Sequence, residues 1–151
     1  MQNPMWRATL LFLAILLPHA ALAQQRILPG GLMLSGYWAT CGPIETEVLK
    51  INDIAASSGG RIILNPSLFS LPRSQQLFWY THECGHQIFG PSEAVADCWS
   101  VEQGRIQGWL NRSEFEKLAA VIGRFRGDAA HADGPERAAH LRLCYYREGT
   151  R

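Results

Sequence analysis

The sequence predicts a small α+β domain, mostly helical, and three observations lead there. Five stretches between Ile44 and Tyr146 place apolar residues at helical spacing, and most of them open on serine or proline. One β-branched run, Ile62 to Leu64, has the character of a short strand. The chain length suits one compact core.

Residues 1–23 carry one basic residue, Arg7, no acid, an apolar run from Leu10 to Leu17, then Pro18 and the pattern Ala21-Leu22-Ala23. That is the layout of a secretory signal peptide, with cleavage expected after Ala23. The apolar run is well short of the roughly 20 residues a spanning helix needs. The mature domain is then residues 24–151, periplasmic or secreted, with no stable membrane insertion.

Residues 24–43 contain Gly30, Gly31, Gly36, Gly42 and Pro43 and read as an irregular entry segment. Ile44, Val48, Ile51 and Ala55 recur at helical spacing, so a helix is expected over 44–55. "SSGG" at 57–60 breaks it, and "RIILNP" gives an isolated or edge strand ended by Pro66. Pro72 suits the first turn of a helix that runs to Phe89, where Gly90 and Pro91 stop it. Ser92 can cap the next helix, Glu93 to about Leu110; in it Trp99, Ile106 and Trp109 read as core, and Gly104 and Gly108 would admit another helix closely. "SEFE" offers a capping box, Ser113 with Glu116, for a helix to about Phe125. "GDAAHADG" is a loop, and Pro135 opens a last helix, "PERAAHLRLCYY".

The formal charge is +1 and no basic run appears, so nucleic-acid binding has no electrostatic support. The four cysteines, Cys41, Cys84, Cys98 and Cys144, argue for two disulfides in an exported chain. Three pairings are open; Cys41–Cys84 with Cys98–Cys144 is preferred because it would tie both ends of the domain to the stretch described next.

"HECGHQIFGPSEAVADC", residues 82–98, is the informative part of the chain. On a helix, His82 and His86 lie on one face and can present two imidazoles to one ion. Glu83 is near enough to reach a water on that ion, which makes "HExxH" two zinc ligands plus a general base. A catalytic zinc needs a third protein ligand, and a tight "GPS" turn would bring Glu93 back toward His86. Asp97, four residues on, can accept the other ring N–H of a ligating histidine. At 100° per residue Cys84 points about 200° away from His82, so it reads as half of a disulfide rather than a ligand. Two imidazoles and a carboxylate suit Zn2+ best. His140 has no partner pattern.

"HECGH" followed by "EAVAD" resembles the HExxH…ExxAD pattern of gluzincin metallopeptidases, particularly the HtpX and CAAX-prenyl-endopeptidase type. The resemblance covers roughly residues 62–143. It implies a zincin-like domain: a short edge strand packed by the HExxH helix, with an antiparallel ExxAD helix beside it. It also implies an endopeptidase with Glu93 as third zinc ligand and Asp97 supporting the site. "HADGPER" resembles the family's HPxxxxR segment, which implies that His131, with Arg137, steadies the oxyanion. Ala132 stands where the family usually has proline, and the His86-to-Glu93 interval is far shorter than in membrane-embedded members.

On this reading the substrate is a peptide or protein, cleaved through a zinc-activated water with Glu83 as base. The Ile62–Leu64 strand is then the edge along which a peptide aligns. Two rivals remain open: a non-catalytic, metal-stabilised, disulfide-linked periplasmic protein, and a disulfide-stapled binding module without metal.

Overall fold

The computed structural model describes residues 25–147; the expected signal peptide and its cleavage site lie outside them. The fold is α+β. Three short strands come first, β1 (Gln25–Ile27), β2 (Leu32–Leu34) and β3 (Tyr37–Ala39). Then follow β4 (Glu45–Val48), β5 (Ala55–Ser58), β6 (Arg61–Leu64) and a 3-10 turn, Pro66–Ser70. Four helices complete the chain: α1 (Arg73–Phe89), α2 (Glu93–Ile106), α3 (Arg112–Ile122) and α4 (Gly134–Tyr146).

The N-terminal half departs from the helix expected over 44–55. Its first part is β4, which pairs parallel to β6 and antiparallel to β1; its last residue opens β5. The helical spacing of Ile44, Val48, Ile51 and Ala55 was a coincidence of a four-residue strand, a loop and the start of another strand. Residues 24–43 are not irregular either, since β1, β2 and β3 fall among them. β2 and β3 form a two-residue hairpin whose loop residues, Ser35 and Gly36, both have positive φ (45° and 80°). That is the backbone a two-residue hairpin loop of this hand requires, and glycine adopts it without strain. Gly59 and Gly60, at φ 58° and 76°, make the same kind of connection between β5 and β6. "SSGG" is therefore a hairpin turn, not merely a break.

The main sheet has the order β1-β4-β6-β5. β6 is thus internal, and the expectation of an isolated or edge strand at Ile62–Leu64 fails: β4 and β5 flank it. The edge is β5.

α1 is the central helix. The sheet, the β2–β3 hairpin, α2 and α3 all pack against it, and Leu77, Phe78 and Tyr80 are almost completely enclosed. A helix covered on several sides needs apolar residues over most of its circumference, which "LFWY" supplies. The core continues through Ile62, Leu64 and Leu68 under the sheet and through Val101, Phe115, Leu118, Ile122 and Leu141 among the helices. Phe115 and Tyr145 stack with centroids 4.0 Å apart, and the Tyr145 hydroxyl donates to the Leu110 carbonyl at 2.9 Å.

Four helix details differ from expectation. α2 stops at Ile106, four residues early, because Gly108 turns at φ 77°. Ile106 is exposed rather than core, while Trp109 is buried. Gly104 admits no second helix; a Cβ there would meet Leu110 and Trp109, the chain's own turn, within 2.9 Å. α3 is capped by Asn111, whose side chain accepts from the Glu114 N–H at 3.1 Å, so the Ser113–Glu116 box is not the cap.

The cysteines pair as preferred, Cys41 with Cys84 and Cys98 with Cys144. One bridge joins α1 to the segment after β3, the other joins α2 to α4. Two disulfides are compatible with an oxidising compartment. Among the described residues no helix is long and apolar enough to cross a membrane.

Candidate metal centre

His82 and His86 sit one turn apart on α1, and α2 brings Glu93 to them. The reversal is made at Gly90, whose φ of 86° ends α1, and the two helices then run closely side by side. Gly85 permits this: a Cβ there would lie 3.0 Å from Ala96 Cα and 3.2 Å from Ala96 Cβ. The glycine inside "HECGH" is where α1 packs closely on Ala96 of α2.

Three side chains converge through two imidazole nitrogens and both oxygens of one carboxylate. His82 Nε2 lies 3.1 Å from His86 Nε2 and 3.1 Å from Glu93 Oε2, and His86 Nε2 lies 3.3 Å from Glu93 Oε1. Ligands held about 2.0–2.1 Å from one ion at tetrahedral angles stand about 3.3 Å from one another. The observed separations, taken to one or the other oxygen of the Glu93 carboxylate, are of that size. Glu93 Oε2 is buried without a hydrogen bond of regular geometry, and the nitrogens beside it are those of His82 and His131.

The outer nitrogens set which lone pairs face inward. His86 Nδ1–H donates to the Gly90 carbonyl at 3.0 Å, leaving Nε2 as the bare lone pair. His82 Nδ1 lies 2.9 Å from Asp97 Oδ1, an ion pair whose alignment falls short of a regular hydrogen bond. Arg137 in turn donates to the same carboxylate through Nε and Nη2, each at 2.7 Å, and its guanidinium lies 5.4 Å over the Trp79 ring. Asp97 and Arg137 are both buried. The fork of Arg137 is thereby committed to Asp97, and its part in the site is to hold the carboxylate that orients His82.

His131 comes from the loop before α4. Its Nε2 lies 3.2 Å from Glu93 Oε2, while Nδ1 meets Asp128 at 3.0 Å. Asp128 also accepts from the N–H groups of Ala130 and His131. These backbone hydrogen bonds, with the His131 ring, hold its carboxyl down at about 2.

Charge and burial compete at His82, Glu83, Glu93 and Asp97. Burial alone would lower the His82 pKa, but the contacts with Asp97 and Glu93 and the charge of Glu83 outweigh it and raise it to about 9 in the metal-free fold. Burial would raise Glu93 and Asp97, yet both sit below the ordinary carboxylate range, Glu93 through the imidazoles and Asp97 through His82 and Arg137. At Glu83 burial prevails over the imidazole charges and pushes the carboxyl up, the direction that makes it a better proton acceptor near neutral pH.

A cleft of about 490 Å3 opens over these groups, lined by Glu83, His86, Glu93 and His131 on one side and by Asp53 and β5 on the other. A second hollow of about 420 Å3 continues past Glu83 and His131 toward Trp79 and Phe125. Gln87 fixes β5 against α1: its Nε2 donates to Ser57 Oγ and, at 3.1 Å, to the Arg61 carbonyl. Asp53, β5 and Gln87 were not among the residues expected from sequence. The two-residue "GG" between short polar and β-branched runs was the available signal for the hairpin that carries β5; nothing local marked Asp53.

The structure thus gathers His82, Glu83, His86, Glu93, Asp97, His131 and Arg137 at one place. Cys84 and Cys98 point into their disulfides. No family model, curated protein or solved structure matches this chain.

Proposed function

We propose that the protein is an exported zinc-dependent metallopeptidase, a minimal gluzincin-like enzyme acting on peptides or proteins. The observation that carries this reading is the convergence of His82 Nε2, His86 Nε2 and the Glu93 carboxylate, whose Oε2 lies 3.1 Å from the first nitrogen and Oε1 3.3 Å from the second, with a fourth residue, Glu83, beside them in an open cleft. Zn2+ held by His82, His86 and Glu93 would activate water near neutral pH and polarise the scissile carbonyl.

The chain's own residues do the rest. Glu83, with its carboxyl pushed up by burial, takes the proton from the attacking water and returns it to the leaving amine. His131, held by Asp128 through Nδ1, borders the cleft beside Glu93, and as an imidazolium it would donate its Nε2–H to a developing oxyanion. Arg137 and Asp97 keep His82 in its ligating tautomer. The free edge of β5, which borders the cleft, offers backbone groups to an extended peptide. This role passes to β5 from the internal strand Ile62–Leu64. The zincin-like character lies in this pairing of an edge strand with the two-histidine helix.

The test is metal content and peptide-library cleavage, wild type against Glu83→Gln. Stoichiometric zinc in both, with turnover lowered at least about 100-fold in Glu83→Gln, is the expected result. Retained turnover overturns the base assignment. Zinc bound without hydrolysis by the wild type leaves the non-catalytic, metal-stabilised reading, and absence of metal leaves the binding-module reading.

A further inference from the structure

His140, which no motif singled out, stands against the Cys98–Cys144 bridge. Its Nε2 lies 3.3 Å from Cys98 Sγ and 3.6 Å from Cys144 Sγ, so two sulfurs and a ring nitrogen from α2 and α4 lie within 4.8 Å of one another. The same Nε2 is 3.1 Å from the Ala94 carbonyl, to which it donates in the disulfide form. Cys144 is fully enclosed, but Cys98 and His140 are only half-buried and open on a groove of about 370 Å3 that Phe89, Val95 and Trp99 also line.

We propose that Cys98, Cys144 and His140 form a second, redox-gated metal site, closed as a disulfide and opened by reduction to a Cys2His set for a borderline divalent cation such as Zn2+. Two thiolates and an imidazole make a three-ligand set of the kind that holds zinc with one position free. Here that position faces the groove. A disulfide offers no thiolate, so oxidised protein has only the histidine and carboxylate centre.

The chemistry balances with a dithiol reductant. Its two thiols are oxidised to a disulfide, the Cys98–Cys144 bond breaks, and the two thiol hydrogens pass to the cysteine sulfurs. Attack falls on Cys98 Sγ, the sulfur at the groove. Cation binding then releases both thiol protons. His140 gives up its hydrogen bond to Ala94, moves its proton to Nδ1 and ligates through Nε2.

The experiment uses Co2+ alone on the mature chain, oxidised and after anaerobic reduction by a phosphine that is then removed. Reduced protein is expected to show an intense thiolate-to-cobalt charge-transfer band that oxidised protein lacks. His82, His86 and Glu93 supply no sulfur, so cobalt there gives no such band, and failure of either site is read separately. Cys98→Ser should abolish the band, His140→Ala should weaken cobalt binding there at least tenfold, and the paired Cys41→Ala, Cys84→Ala variant should keep it. Absence of the band once all four thiols titrate as free overturns the proposal. So does a band indifferent to Cys98→Ser and His140→Ala, or a reduced chain that unfolds and is not restored by Co2+.

Discussion

Asp97 joins two demands in one buried carboxylate: it orients His82 and neutralises Arg137. Asp97→Asn keeps the size but removes the charge, leaving a buried guanidinium without its partner. The expected loss is about 3–5 kcal/mol in urea unfolding, together with a 10–100-fold fall in zinc affinity by competition titration, typical of losing an outer-sphere partner. A change under about 0.5 kcal/mol would show that the Asp97–Arg137 pair does not hold the fold together. His82 supplies a pH prediction. With its pKa raised from 6.5 to about 9, the metal-free fold gains stability that is complete below 6.5 and is lost as pH rises through about 9. The ligand is the neutral ring, so below about 9 a cation must displace a proton. Zinc affinity should fall, by up to tenfold per unit, as pH is lowered from about 9. Calorimetry in buffers of unequal ionisation enthalpy reads the released proton directly; affinity flat from about pH 7 to 9 would refute it. The spacing of His82, Glu83, His86, Glu93 and Asp97 was legible because all five lie on two helices joined by a three-residue turn, so local geometry settles their faces. The Arg137 fork was not legible, because its partner is set by how α4 docks on α2.

At the scale of elements, the α1–α2 crossing controls the site. Gly85→Val places a branched side chain where a single Cβ already meets Ala96 at 3.0 Å. Forcing the helices apart should cost about 1–3 kcal/mol of stability and move Glu93 from the imidazoles, lowering zinc affinity at least tenfold. Thermal melts and zinc titration on the same variant check both; unchanged affinity would show that the crossing does not position Glu93. Four of the five expected helices were read with small errors at their ends, since capping and apolar spacing are local signals, whereas the one expected over 44–55 is strand and loop. The strands were largely missed. At three or four residues each they are too short to display alternation, and β1, β4 and β6 find their partners only across the fold.

For the whole molecule, the two disulfides hold α1 and α2, the helices that carry the candidate metal ligands, to the rest of the chain. Cys41 and Cys84 are 43 residues apart, so replacing both by alanine should cost about 2–4 kcal/mol in denaturant unfolding. Zinc affinity should stay near wild type, because the bridge leaves α1 on the side away from the ligands. A large fall in affinity would mean that the N-terminal segment helps shape the centre.

By itself the sequence determined the α+β character, the HExxH helix, the turn returning Glu93, and the even cysteine count. All of these follow from short-range geometry and composition. Only the tertiary structure decided that β5 is the edge over the cleft, that Arg137 clamps Asp97, and that His140 meets a disulfide. Each of these depends on contacts between segments 30 or more residues apart or on strand order, and no local periodicity encodes them.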